Sequence, residues 1–475
     1  MTRGWRGRCG LPRRSSPCPG SGLWSTPVEG APVQSIKWRT PYSCSVTRKE
    51  DNLDIRLLGI AAAAIGIYAL VSGRLSRSII SGPMFFAAVG LVTMAVAVGL
   101  GEEPTGVVAG GAQIALEMTL ALVLFTDAMA TNITSWRDQG ELPSRLLTVG
   151  MPLIIVAGAL VGVGLFPELT LVAALIVATI LAPTDAALGK PVVSNTRVPG
   201  RIRQALNIES GLNDGIALPF LLFFIAIAEA EEGANLISLL LSEVGIGIIV
   251  GVAIGWVFAR ALVLSSERGW ILPIWRQIAV VTIPVLVFVA ADELGGSGFI
   301  AAFVGGLIFG RIVLASYPDI ADFAEDLVEI LVMVAFMIFG GLLLQPRLGD
   351  FTWEMLLYAL LSLTLVRMLP VAISMIGKHL RLPTVLYMGW FGPRGLASLI
   401  FAAVVIEEVD IPETDFMVTV VTLTVALSIL LHGITAYLGS NAYADWFEHQ
   451  EEDNDQMHES KDDHSTPRRR RISRG

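Results

Sequence analysis

The chain has 475 residues, of which 53% are hydrophobic and only 16% charged, with a formal net charge of −9. A soluble chain carries nearer a quarter charged residues, so the composition excludes an ordinary water-soluble globular protein. The net charge itself says little about substrate, because most of it lies in loops and in the C-terminal tail.

The first fifty residues hold nine Lys and Arg and all three cysteines, Cys9, Cys18 and Cys44. No apolar run precedes residue 55, so this basic leader does not read as a secretory signal. It is either an organellar transit peptide or sequence upstream of the true start. The second reading is favoured, because a basic leader opposes the orientation that the later loops demand. Residues 1–54 are expected to be disordered. No cysteine follows, which excludes disulfides and thiolate metal sites in the remainder.

Thirteen apolar runs then follow, each long enough to span a bilayer. They cover roughly 55–73, 79–100, 111–133, 146–166, 169–189, 204–228, 236–264, 274–292, 297–315, 324–345, 353–377, 383–405 and 415–438. An all-α polytopic membrane protein with about thirteen transmembrane helices is the predicted fold class. Fourteen basic residues, from Arg74 to Arg381, follow odd-numbered runs, whereas one, Arg347, follows an even-numbered run. Acidic pairs such as Glu102–Glu103 and Glu407–Glu408 follow the even runs instead. The positive-inside rule then places the N-terminus outside and the C-terminus in the cytoplasm.

In chain order, the first charge at depth is Asp127, near the cytoplasmic end of the third run, where a capping or surface role is expected over a place in a cytoplasmic funnel. Glu117 and Glu243 carry no assigned job. The fifth run is interrupted by Pro183, followed at once by Thr184 and Asp185. Proline removes a helical donor and disfavours helix at the residue before it. The sixth run carries Glu209, Ser210, Asn213 and Asp214 inside apolar sequence. Ionisable groups at bilayer depth are expensive and mark functional sites. Ser210 and Asp214 share one helix face, Glu209 and Asn213 another; the two carboxylates lie about 140° apart around the axis. One can bind an ion while the other is neutralised elsewhere.

Arg367 in the eleventh run is a third buried charge. Glu209 is the acid available to it, so the two are expected to pair, which makes Glu209 structural. The twelfth run breaks at Pro393, between Gly392 and Arg394. Two broken runs in comparable places of the two chain halves are the sequence sign of a transporter site built from inverted repeats. Asp185 would offset the positive N-terminal ends of the half-helices, and Arg394 the negative C-terminal ends. His432 in the last run is expected to be a packed histidine rather than a pH sensor. The stretch 441–475 is expected to be a disordered, charged cytoplasmic tail.

On these residues the chain resembles the monovalent cation:proton antiporter-1 family, the NhaP-like and eukaryotic sodium/proton exchangers. Thr184 and Asp185, Glu209 and Ser210, Asn213 and Asp214, Arg367, and the stretch from Phe391 to Gly395 carry the resemblance over about residues 55–440. It implies two discontinuous crossing helices, at runs five and twelve. It implies a dimerisation part (about 55–133 and 236–345), a mobile core part (about 146–228 and 353–438) and a homodimer. It further implies that Asp214 binds cation and proton in turn, helped by Thr184, Ser210 and Asp185. Glu209 pairs with Arg367 in that family, and Asn213 marks its electroneutral branch.

The expected function is therefore secondary active exchange of Na⁺ for H⁺ across a plasma (inner) membrane, serving pH and sodium homeostasis. Li⁺ or K⁺ can stand in for Na⁺ in this reading; the alternative is a K⁺-selective cation/proton antiporter. The transported Na⁺ on Asp214 is the one metal expected. No enzyme activity, cofactor or nucleic-acid partner is expected; the lipid bilayer is the surrounding partner. An uncoupled cation channel is the weaker competitor, since no filter sequence of the potassium-channel kind is present.

Overall fold

The computed structural model describes residues 47–75, 78–101, 106–131, 140–228, 236–409, 411–453 and 459. The leader up to residue 46, expected to be disordered, therefore lies outside the described residues. The helices, in chain order, are α1 (Thr47–Leu75), α2 (Gly82–Gly99), α3 (Gly106–Ala130), α4 (Glu141–Leu165), α5 (Leu171–Ile180), α6 (Ala186–Ser194), α7 (Gly200–Ala228), α8 (Leu236–Glu267), α9 (Pro273–Asp292), α10 (Gly298–Val313), α11 (Asp319–Arg347), α12 (Trp353–Ser374), α13 (Leu382–Trp390), α14 (Leu396–Glu408) and α15 (Thr414–Asp453). Among the described residues ten of these are long and apolar enough to cross a membrane, and three shorter apolar helices lie at α5, α10 and α14. Every apolar run of the sequence falls on one helix, except the fifth and twelfth. Those two are each divided into a pair of short helices, α5–α6 and α13–α14.

Local chemistry sets the helix starts. Ser81, Thr170, Ser297 and Thr352 each accept a hydrogen bond from a backbone N–H in the first turn of α2, α5, α10 and α12. Such caps satisfy donors that have no partner inside the helix. Two helices depart from regular α geometry in ways the apolar pattern does not reveal. Leu146–Gly150 in α4 and Phe339–Leu344 in α11 are π-helical turns. A third irregularity sits in α12, where Thr364 (φ −111°, ψ −93°) interrupts the helix three residues before Arg367.

Two sets of helix contacts stand out. In one, α10 lies against α3, α8 and α9, while α11 lies against α2 and α3. In the other, α4 packs on α5, α5 on α7, and α15 on α5, α6, α12 and α14. Small residues permit the closest approaches, as in many membrane helix pairs. A Cβ at Gly340 of α11 would coincide with the backbone carbonyl of Ala87 in α2, and one at Gly90 with the carbonyl of Met337. By contrast, along residues 56–75 of α1 only Ala64 is buried, and Leu58 and Leu70 are open at 72% and 88%.

Two expected boundaries move. Helix α1 starts at Thr47, inside the stretch assigned to the leader. Helix α15 runs on to Asp453, so the tail expected from residue 441 begins as helix. The physical reason is tertiary: polar groups of this extension find partners. Arg197 in the α6–α7 loop makes two 2.9 Å hydrogen bonds to Glu448 and also bonds Asp445. Those bonds, the Glu448 bond first, hold the Arg197 guanidinium above its ordinary pKa. Tyr443 stacks on Tyr387 of α13 at 4.1 Å and shares a 3.0 Å hydrogen bond with Thr384. Glu459, buried, accepts from the Arg381 N–H at 3.0 Å and from Thr384 at 3.1 Å.

Candidate functional site

The two unwound segments, between α5 and α6 and between α13 and α14, meet. The Asp185 N–H donates to the carbonyl of Pro393 at 2.8 Å. Asp185 is the N-cap of α6, accepting from the Leu188 N–H at 2.8 Å, and its other oxygen accepts from the Leu396 N–H, the first residue of α14, at 2.6 Å. One carboxylate thus caps two helix N-termini, where dipole and free N–H groups both favour negative charge. Gly395 has no side chain because any Cβ there would enter the Asp185 carboxylate.

Arg394 works at the opposite poles. Its side chain is fully buried and donates from Nη1 to the carbonyl oxygens of Ala182 and Pro183, the latter at 3.0 Å. Those carbonyls lie just past the C-terminal end of α5, where helical acceptors run out of partners. The hydroxyl of Ser398 donates to the carbonyl of Ile180 at 2.7 Å and satisfies one more of them.

Helix α7 passes beside the first break. Ser210 donates to the Thr184 carbonyl at 2.7 Å, and Asn213 Nδ2 donates to the Thr184 hydroxyl at 2.6 Å. Being three residues apart, the two side chains face one neighbour. So Thr184 is committed at both its carbonyl and its hydroxyl, which the sequence did not indicate. The hydroxyl keeps a lone pair, since it accepts from Asn213 with one of two.

Glu209 lies on another face and meets Arg367 of α12. The pair is bidentate, Nη1 to Oε1 at 2.6 Å and Nη2 to Oε2 at 2.9 Å, with side chains 2% and 4% exposed. Gly392, in the second break, lets the guanidinium pass: a Cβ there would strike its Nε.

Asp214 is left. It is 7% exposed, and its Oδ1 has no hydrogen-bond partner among the described residues, nor does Asn213 Oδ1. Buried oxygens without donors are rare and call for a physical reason. A small cavity lined by Thr184, Asp185, Ser210, Asn207, Phe391 and Pro393 reaches this cluster one turn short of Asp214. The two α7 faces thus carry different chemistry: Glu209 is neutralised by a guanidinium, and Asp214 is not.

Of the remaining ionisable candidates, Asp127 comes close to Asp214 and His432 lies beside the second break. Asp127 sits on α3 against Gly211, one turn before Asp214. Glu117 accepts from Gln113 at 3.0 Å. His432 is fully buried on α15 with both ring nitrogens in hydrogen-bond range of other groups. Sequence reasoning did not find Ser398 or Ser428, whose hydroxyls hold backbone at the two breaks. The available signal was a lone serine in an otherwise apolar run.

Comparison with known proteins gives a family. The K⁺/H⁺ antiporter NhaP2 of Shewanella sp. (strain MR-4) is 26% identical over 357 residues, 73% of this chain and 59% of that protein. The K⁺/H⁺ antiporter NhaP of Alkalimonas amylolytica is 25% identical over 357 residues, 74% of this chain and 60% of the relative. The chain thus spans about three fifths of the length of the curated relatives it matches. The solved sodium proton antiporter MjNhaP1 from Methanocaldococcus jannaschii superimposes with a TM-score of 0.63 at 18% identity, over 83% of this chain and 99% of that one, and so shares the fold. The family model described as "Sodium/hydrogen exchanger, transmembrane" matches residues 60–437. With most of its length inside that match, the chain belongs to the sodium/hydrogen exchanger family of multi-pass membrane proteins.

Proposed function

We propose that this chain exchanges a monovalent cation for protons, one for one, across a membrane it crosses thirteen times. The observation that carries the reading is the contrast on α7. Glu209 is closed off by Arg367, Asp185 by two helix N-termini, and Asp214 keeps an unpartnered buried oxygen on the helix whose Ser210 and Asn213, within one turn of it, bond Thr184. A bare buried carboxylate is costly, so it takes a proton or a partly dehydrated cation. Either ligand neutralises the same group. The loaded carrier then has one charge in both directions, and exchange is electroneutral.

The oxygens gathered here suit a hard cation such as Na⁺. Na⁺ is the cation we assign, the one named for the sodium proton antiporter MjNhaP1. K⁺ is the second reading, because the curated relatives carry K⁺/H⁺ in theirs. Alternating access would come from movement of the group built on α4–α7 and α12–α15 against the group built on α1–α3 and α8–α11, the latter forming a homodimer. The inverted repeat would relate α5–α6 to α13–α14, with the N-terminus outside and the C-terminus in the cytoplasm.

The test uses the full chain in proteoliposomes with an imposed pH gradient. Adding Na⁺, K⁺ or Li⁺ outside should dissipate the gradient with a saturable dependence on one or more of them. Clamping the membrane potential with an ionophore should leave the rate unchanged. Cation flux without coupled proton flux would replace the antiporter by a channel.

A further inference from the structure

The second break must be held open as well as capped. Between α13 and α14, Phe391–Gly395 is not helical, and its backbone groups need partners at a depth without water. Two side chains of α15, one turn apart, bond backbone on either side of Pro393, one at Arg394 and one at the Trp390 carbonyl, which closes α13 and also accepts from the Gly392 N–H at 2.8 Å. Ser428 Oγ accepts the Arg394 N–H at 2.6 Å. His432 Nε2 lies 3.0 Å from the carbonyl of Trp390. That carbonyl can only accept, so Nε2 carries the hydrogen. In the neutral ring Nδ1 is then an acceptor, and the Ser428 hydroxyl, 3.2 Å away, donates to it. The Ser428 carbonyl, also 3.1 Å from Nδ1, becomes a partner only if that nitrogen is protonated.

The result is a continuous path: Arg394 N–H to Ser428 hydroxyl, hydroxyl to His432, His432 to the Trp390 carbonyl. Both side chains are fully buried. Thr435, three residues beyond His432 on the same face, accepts from the Trp390 indole at 3.0 Å and fixes the near end of the break a second time. The far end is also the end that matters for the ion site. Pro393 and Leu396, immediately flanking Arg394 and Gly395, make the two backbone bonds that tie Asp185 to the second break.

We propose that Ser428 and His432 are positioning residues for ion exchange. They staple the two sides of the unwound segment to α15 and so set where the Pro393 carbonyl and the Leu396 N–H present themselves to Asp185. They touch no ion; they act through Trp390 and Arg394. The inference rests on the antiport reading for its transport consequence, while the staple itself stands on geometry alone.

Two measurements on the full chain separate these. The first is amide hydrogen exchange over residues 391–396, in Ser428→Ala, His432→Leu and His432→Gln. Loss of the staple should speed exchange of this segment in the first two, with little change in α4 or α8. The glutamine amide can still donate to Trp390, so His432→Gln should recover part of the protection. Unchanged protection in Ser428→Ala and His432→Leu would refute the staple, whether or not the protein transports anything.

The second is cation-driven proton flux in proteoliposomes. Ser428→Ala and His432→Leu should raise the cation KM by roughly tenfold, the scale of one lost buried hydrogen bond. His432→Gln should lie between those variants and the unaltered chain. A purely structural role would lower melting temperature and maximal rate in proportion to the folded fraction with KM unchanged, and that result would overturn the positioning role. Absence of exchange in the unaltered protein would instead refute the antiport reading, leaving the hydrogen-exchange result to decide the staple.

Discussion

Asp214 and Glu209 sit five residues apart on one helix, and their surroundings divide the work between them. Asp214→Asn keeps the side-chain volume and a hydrogen-bonding group but cannot exchange a proton for a cation. It should abolish cation-driven proton flux while leaving the melting temperature in detergent close to that of the unaltered chain. Wild-type flux from this variant would remove Asp214 from the site. Glu209 and Arg367 form a bidentate, buried pair. Breaking a buried pair by removing one partner costs about 3–5 kcal/mol, because the other charge is left uncompensated. Glu209→Gln and Arg367→Leu should each lower thermal stability strongly, and the double variant should lose less than the sum. Additive losses would show that the two do not couple. These residues were legible in the sequence because charge inside an apolar run is conspicuous and its sign suggests its partner. The hydroxyl partners were less so. Nothing in the spacing of Ser210 and Asn213 revealed that both would turn to Thr184, since that depends on where α5 stops.

The elements themselves were legible to different degrees, for reasons that can be named. Both breaks were marked by a proline beside a charge, and both fall within a residue or two of Pro183 and Pro393. The interruption of α12 at Thr364 had only Pro370 as its trace, six residues downstream and after the charge it positions. The extension of α15 to Asp453 was hidden because residues 441–453 look solvated; their partners, Arg197, Thr384 and Arg381, lie far off in the chain. Glycines marked close approach without saying to what. The structure supplies the neighbour and with it a prediction. Gly340→Ala places a Cβ on the Ala87 carbonyl, where neither backbone can yield easily. Overpacking of this kind costs about 1–3 kcal/mol, so the melting temperature in detergent should fall. Gly164→Ala, in α4, meets nothing within 4 Å and should hold or slightly raise it, since alanine is the better helix former. Equal melting temperatures for the two variants would mean that α2 and α11 are not held at this spacing.

At the scale of the whole molecule, the proposed exchange would need one group of helices to move against the other, so ties between the groups would have to part. The buried Glu209–Arg367 pair joins α7 to α12 within one group and can persist through a cycle. The pairs that join different groups are of another kind. Lys190 of α6 meets Glu329 of α11 at 2.6 Å, with side chains 63% and 43% exposed. Arg347 at the end of α11 meets Asp415 of α15 at 3.0 Å, and Asp415 is 84% exposed. Exposed pairs are worth roughly 0–1 kcal/mol, too little to hold a carrier in one state. Lys190→Gln should therefore leave the maximal exchange rate within about twofold of the unaltered chain. A covalent tie at the same place should behave differently. With Cys9, Cys18 and Cys44 replaced by serine, Lys190→Cys and Glu329→Cys can be joined by a short bifunctional thiol reagent. Because Lys190 lies on the half-helix that Asp185 caps, the tie fixes the site's own helix to the other group. Exchange should stop on cross-linking and return on cleavage of the linker, while either single cysteine treated alike stays active. Full exchange through the cross-linked protein would show that α6 and α11 travel together, and the boundary of the moving part would have to be redrawn between other helices.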